Sequence, residues 1–265
     1  MAKALRNRFY LATIADDAPE IARENGLGLE LDEFCMASNM DADFERWDAL
    51  ARSHADGIER RILHAPFAEL SPCAIDPMVR AVSMRRLEQA AALCRRYGVQ
   101  RMVVHSGFIP HVYFPEWFVA QGAQFFREFL QSRPAGFQIM IENVLDPEPG
   151  PLSELVARID DPRAGICLDV GHAHVSSQTP VSEWLRRLGP QITHLHVHDN
   201  DRTFDQHRLP GDGINRWNEL LAALERHGYT GPLMYEVSKK PRDREELPLA
   251  AVAANMRDLA AGRLS

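Results

Sequence analysis

Short apolar runs recur along this chain, and an unusual number of them finish in a His, Asp or Glu: LHAP, VVHSG, IMIEN, CLDVGH, HLHVHD and YEV. Side chains at the ends of consecutive strands meet only if the strands lie parallel around a common axis. The pattern therefore constrains fold and site together. His64, His105, Glu142, Asp169, His172, His196, Asp205, His207 and Glu236 are the candidate residues, and all nine are of types that bind divalent metals.

Apolar runs bounded by turn residues place strands at Phe9–Ile14, Gly28–Leu31, Arg61–His64, Arg101–His105, Phe137–Glu142, Ala164–Asp169, Ile192–His198 and Leu233–Val237. Helical periodicity fills the gaps. Met78–Tyr97 carries Val79, Val82, Leu87, Ala90, Ala91 and Cys94 on one stripe and stops at Gly98; Trp217–His227 stops at Gly228, and Glu183–Leu188 at Gly189-Pro190. Strand–helix alternation implies a parallel sheet with right-handed crossovers. A doubly wound open sheet also alternates, but it gathers its ligand groups at one switch point and commonly carries a Gly-rich phosphate turn. No GxGxxG follows the first strand here, and polar residues end six strands in succession. The expectation is an α/β fold of the (β/α)8 TIM-barrel type, with residues 1–265 forming a single domain.

At 265 residues the chain is long enough for such a barrel, which takes about 250. The N-terminal MAKALRNRFYLATIADD is too short and too interrupted in its apolar part to read as a signal peptide, and no run approaches a membrane span. Cys35, Cys73, Cys94 and Cys167 lack CxxC pairing and read as reduced thiols, mostly in the core. A cytoplasmic protein is expected, with no membrane partner; nothing in the sequence opposes a homo-oligomer. The net charge of −7 argues against nucleic acid as a partner, since affinity for phosphate backbones comes mainly from Lys and Arg.

CLDVGHAH is the strongest local signal: Asp169 ends a buried strand, and His172 reaches back as the chain turns, with Gly171 permitting a tight backbone. In HLHVHDND, His194, His196 and His198 share one strand face, and Asp199 is placed to orient an imidazole. Glu142 and Glu236 interrupt otherwise apolar strands, which is costly unless the carboxylate is paired or metal-bound. Glu142, Asp169, His196 and Glu236 together make a hard, oxygen-rich site for Mn2+, Mg2+, Co2+ or Zn2+. Phe108, Tyr113, Phe114, Trp117 and Phe204 fall in or near the expected mouth loops, where they either close a lid or pack the loop.

These residues resemble the xylose isomerase-like, or AP endonuclease family 2, TIM-barrel superfamily, and the resemblance runs from HAPF at His64 to YEV at Glu236. That superfamily contains sugar and sugar-phosphate isomerases and epimerases, inosose dehydratases and endonuclease IV. The resemblance implies one divalent metal on Glu142, Asp169, His196 and Glu236, with Glu142 and Glu236 as catalytic proton shuttles. It also implies substrate contacts from His64, His172, Glu148 and Arg202. The segment DNDRTFDQHRLPGDG resembles the endonuclease IV loop that binds additional metals, which brings in Asp205 and His207. With His64, His105 and His172 the nine-ligand set of a three-metal site is present, so one to three ions are implied. The leading expectation is a metal-dependent sugar or sugar-phosphate isomerase or epimerase working through an enediolate. The alternative is a multinuclear phosphodiesterase or other phosphoester hydrolase. A dehydratase or lyase step and a metal-free binding module are the remaining classes.

Overall fold

The computed structural model describes residues 7–237 and 249–264; the start of the N-terminal stretch considered above lies outside them. Eight strands close into a parallel barrel in sequence order: β1 (Phe9–Ala12), β2 (Gly28–Leu31), β3 (Arg61–His64), β4 (Arg101–His105), β5 (Gln138–Glu142), β6 (Ala164–Asp169), β7 (Ile192–Val197) and β8 (Leu233–Tyr235). Closure is made by β1 against β8, with Tyr10 opposite Met234 and Leu11 opposite Tyr235. The helices between them are α1 (Ala18–Asn25), α2 (Phe44–Ala55), α3 (Pro77–Tyr97), α4 (Pro115–Gln131), α5 (Gly150–Ile159), α6 (Val170–Ser176), α7 (Val181–Leu188), α8 (Trp217–Arg226) and α9 (Leu249–Ala260). None of the helices among the described residues is long and apolar enough to cross a membrane.

Strand parity decides what each side chain meets, because successive residues of a strand face opposite sides. Leu29, Leu31, Leu63, Val104, Ile141, Leu168, Leu195 and Val197 face outward into the large core shared with the helices. Tyr10, Ala12, Ile62, Val103, Met140, Cys167 and Met234 face inward and form a separate, smaller cluster inside the barrel. Two residues beyond Ile62, Val103, Met140, Cys167 and Met234 stand His64, His105, Glu142, Asp169 and Glu236. The inner face of each of these strands is therefore apolar below and carries a His, Asp or Glu at its C-terminal end.

The strands are shorter than expected by Thr13–Ile14, Phe137, His198 and Glu236–Val237. At the first, the Ala15 N–H turns back to the Ala12 carbonyl and takes the chain off the sheet. The left-handed residues after α3 and α8 are Gly98 and Gly228, as expected, with φ of 66° and 61°. In α3, Leu87, Ala90, Ala91 and Cys94 are buried, whereas Val79 and Val82 in its first turns stay exposed. All four cysteines are free, and Cys73, Cys94 and Cys167 are buried.

Gly28 is required by close approach, since a Cβ there would lie 2.1 Å from the Tyr10 ring. Gly28→Ala forces that ring to move within a packed barrel and is expected to cost about 1–3 kcal/mol. In urea unfolding the midpoint should fall with the slope unchanged; an unaltered midpoint would show that the inner layer yields freely.

Candidate metal centre

The strand register puts the candidate ligands in a ring. His105 lies opposite Glu142, and Asp169 opposite His196, so β4 to β7 deliver their last inward residues at one level. Glu142 is at the centre. Its Oε2 lies 3.1 Å from His64 Nε2 and 3.6 Å from His105 Nε2, and its Oε1 lies 3.1 Å from His172 Nδ1 and 3.4 Å from His196 Nδ1. His196 Nδ1 also faces Asp169 Oδ2 at 3.5 Å and Glu236 Oε2 at 3.0 Å. Glu142, Asp169 and His196 are fully buried.

Asp169 does two things. One oxygen caps α6 by accepting the His172 N–H at 2.6 Å, and both oxygens lie 3.0–3.1 Å from His198 Nε2. Asn143 fixes the strand end by a reciprocal pair of hydrogen bonds with the Asp169 backbone, each 2.9 Å. The loop after β7 brings the rest. Asp199 and Arg208 exchange backbone hydrogen bonds of 2.8 and 2.9 Å, which folds the intervening segment over the mouth. There Asp205 meets His207 Nε2 at 2.7 Å and His172 Nε2 at 3.2 Å, while the His207 ring stacks on His198 with centroids 4.2 Å apart.

Five overlapping groups among the described residues have their ligand atoms within 4.8 Å of one another. Two lie deeper: Glu30, His64 and His196; and Cys167, His194 and His196. Three adjoin at the mouth: His64, His105 and Glu142; Glu142, Asp169, His196 and Glu236; and His172, His198, Asp205 and His207. The middle group fits a divalent cation best. Glu142 Oε1, His196 Nδ1 and Glu236 Oε2 are buried without a hydrogen-bond partner, although the two oxygens lie only 3.4 and 3.0 Å from the nitrogen. Atoms aimed at a shared point rather than at each other are what a cation site requires, and three carboxylates with one imidazole suit Mn2+, Mg2+, Co2+ or Zn2+.

The electrostatics agree. Burial by itself raises the pKa of Glu142 and of Asp169, yet both are held well below the ordinary carboxylate value by the surrounding imidazoles, His196 and His105 for the one and His172 and His198 for the other. Burial pushes His105 down to about 3 against the pull of Glu142. His207 rises to about 9, because Glu236 and Asp205 outweigh its burial. Glu142 and Asp169 are thus ionised at neutral pH, the form that ligates metal.

All nine sequence-derived ligand candidates stand in this cluster, which also includes His198. Glu148 and Arg202 do not contact it: Glu148 is half-exposed and paired with Arg187 at 3.6 Å, and Arg202 donates to the Ser177 carbonyl at 2.8 Å. Asp199, expected to orient an imidazole, instead accepts from Trp217 Nε1 and from the backbone N–H groups of Asn200, Gly211 and Asn215, so it shapes the ligand loop. Gly171 lies within α6 and is needed for space rather than for backbone freedom, since a Cβ there would lie 1.9 Å from the His198 ring. Of the expected mouth aromatics, Phe108 is buried against Phe118, Tyr113 bonds Ser71 and Trp117 bonds the Cys73 carbonyl; Phe114 and Phe204 are exposed. The aromatic that touches the site is Phe67, stacked on His105 at 4.4 Å. Sequence reading passed over Asp146, which is buried and accepts from Ser106 Oγ and the Val144 N–H, and Glu30, inside the barrel.

Fold and site together define a (β/α)8 barrel with an acidic and imidazole-rich centre at the C-terminal ends of its strands. The chain belongs to the xylose isomerase-like TIM barrel family, whose model matches residues 21–259. It is 30% identical over 192 residues to the uncharacterized protein MJ1311 of Methanocaldococcus jannaschii, a match spanning 69% of this chain and 65% of that one. It is 32% identical to the fructoselysine 3-epimerase of Escherichia coli O157:H7, over only 76 residues, 29% of this chain and 27% of that one. Among solved structures, the TTHB071 protein from Thermus thermophilus, soaked with ZnCl2, is 27% identical with a TM-score of 0.73, covering 96% of this chain and 98% of that one. A D-tagatose 3-epimerase-like protein shares the fold at 21% identity, with a TM-score of 0.74 and coverage of 97% and 100%.

Burial raises Asp146 from 3.8 to about 6 despite its hydrogen bonds. A carboxyl whose folded value lies above its unfolded one takes up a proton on folding, so its contribution is complete below the unfolded pKa and is lost as pH rises through the folded pKa. Asp146→Asn is therefore expected to gain as much as about 3 kcal/mol on the wild type between about pH 4 and pH 8. Urea unfolding of both proteins at the two pH values checks this; a constant difference would mean that Asp146 titrates normally.

Proposed function

We propose that this protein is a divalent-metal-dependent epimerase or isomerase of sugars or sugar phosphates, in which Glu142 and Glu236 move a carbon-bound proton of the substrate. The observation that carries this reading is the convergence of two glutamates, from β5 and from just beyond β8, on one imidazole nitrogen at 3.4 and 3.0 Å, with Asp169 beside them. Mn2+, Zn2+, Co2+ or Mg2+, when bound, supplies polarisation of the substrate carbonyl and hydroxyl, which acidifies the neighbouring C–H.

The residues of the chain then divide the work. Glu142 is kept ionised by its imidazole neighbours and is competent to accept a proton. Glu236 is the least enclosed of the four, with its side chain 12% exposed. It lies towards the mouth and returns the proton to the enediolate; the two glutamates exchange roles when the reaction runs backwards. His64 hydrogen-bonds one Glu142 oxygen at 3.1 Å and fixes it, while His172, 3.1 Å from the other oxygen, bonds the Asn143 carbonyl through the same nitrogen; both are assigned to substrate binding. Phe67, flat against His105, offers an apolar wall for a sugar face. The partial identity with a fructoselysine 3-epimerase supports carbon-centre chemistry, and the ZnCl2 soak of the Thermus protein supports the metal.

One observation favours a second reading. The groups around His105 and around His207 flank the central one on both sides, as a multinuclear phosphoester hydrolase needs. Hydrogen exchange separates the two. Incubating ketoses, aldoses and their phosphates in D2O with metal-loaded protein is expected to place deuterium at the carbon beside the carbonyl. Glu142→Gln and Glu236→Gln should lower this by at least about a hundredfold, the usual worth of a positioned acid or base. No exchange with any sugar, together with metal-dependent cleavage of a simple phosphodiester, would replace the epimerase by the hydrolase.

A further inference from the structure

Below the mouth, inside the barrel, lies a charged residue that the chemistry above does not use. Glu30 is the inward residue of β2, between Leu29 and Leu31, which face the outer core. It is fully buried, and its two oxygens have no hydrogen-bond partner among the described residues. Its nearest polar neighbours are two imidazoles of β7: His196 Nε2 lies 3.2 Å from Oε1 and His194 Nε2 lies 3.5 Å from Oε2.

His196 is thereby held between two unlike environments. Nδ1 faces Glu142, Asp169 and Glu236, while Nε2 lies 3.2 Å from Glu30 Oε1, with His64 also within ligating distance of that pair. A neutral imidazole carries its proton on one nitrogen and a lone pair on the other, and a metal ligand needs the lone pair on the metal side. The Nε2–H tautomer directs the proton to Glu30 and the lone pair to the mouth. The Nδ1–H tautomer leaves a lone pair against a buried carboxylate and blocks ligation. The inner group differs from the outer one: three carboxylates surround His196 Nδ1, whereas Glu30 is a single carboxylate between two imidazoles, each able to turn an N–H towards it.

We propose that Glu30 is a positioning residue for the metal centre, holding His196 as the Nε2–H tautomer with Nδ1 free to ligate, while His194 steadies the other carboxylate oxygen. This rests on the metal-centre reading above, and metal affinity, not turnover, tests it. Co2+ serves as the probe, in equilibrium dialysis against the full chain. Glu30→Ala should weaken Co2+ binding about 10–100-fold, the usual effect of removing the partner of a ligating histidine. Glu30→Gln, whose amide oxygen still accepts, should lose less, and Ile62→Ala, which removes bulk from the same inner layer, should bind within about twofold of the wild type. Circular dichroism of the metal-free variants reports their folding.

Wild-type affinity in both Glu30 variants would overturn the proposal. So would an equal loss in Ile62→Ala, or Glu30 variants that do not fold while Ile62→Ala does, since the carboxylate would then serve stability. A Co2+ ion located on Glu30, His64 and His196 would overturn it as well. If the affinities follow the expected order while no sugar exchanges hydrogen, the epimerase reading falls and the role of Glu30 stands.

Discussion

Three carboxylates and an imidazole held at contact distance, inside protein, are the constraint from which the rest of this structure follows. Glu142, Asp169 and Glu236 crowd His196 Nδ1 at 3.0–3.5 Å. Unpaired, such a group is untenable, because each carboxylate resists desolvation and repels the others. Two things offset this. Imidazoles stand on every side, with His64, His105 and His172 around Glu142 and His198 on Asp169. The unpartnered oxygens that remain converge where a cation gains most.

Only a closed parallel barrel delivers residues this way. Each strand ends at the same mouth, and the period of two sends every second residue inward, so one inward step above Ile62, Val103, Met140, Cys167 and Met234 lies a candidate ligand. The inner apolar layer is what the site rests on. It is interrupted by Glu30 and His194, directly beneath His196, so a polar thread runs from the barrel interior to the metal position. The loop ligands are less firmly given by topology. Asp205 and His207 reach the mouth because Asp199 ties four donors of its own loop, including the Trp217 indole, at its base.

The strands and the ligand ring were legible because both signals are local: an apolar run, then a metal-binding side chain at its end. The rule that singles out Glu142 and Glu236, a carboxylate inside an apolar strand, applies equally to Glu30 in GLEL. Glu30 is one residue short of the end of a four-residue strand, and the rule alone does not say which face it occupies. Asp199 and Gly171 were noticed for the wrong reasons. Whether an aspartate orients a ring or ties a loop depends on donors up to eighteen residues away, and whether a glycine serves torsion or space depends on the His198 ring packed against it. Glu148 and Arg202 came from resemblance, and nearby partners, Arg187 and the Ser177 carbonyl, hold them elsewhere.

The central claim, a cation held by the middle group, is open to one direct measurement: anomalous diffraction from crystals of zinc-loaded protein, with data on both sides of the zinc absorption edge. The account predicts a peak about 2.0–2.2 Å from carboxylate oxygens of Glu142, Asp169 and Glu236 and from His196 Nδ1. Further peaks roughly 3.5–4 Å away, beside His105 or His207, would mark the flanking groups as metal sites too. A folded, zinc-loaded protein with no peak among Glu142, Asp169, His196 and Glu236 would contradict it.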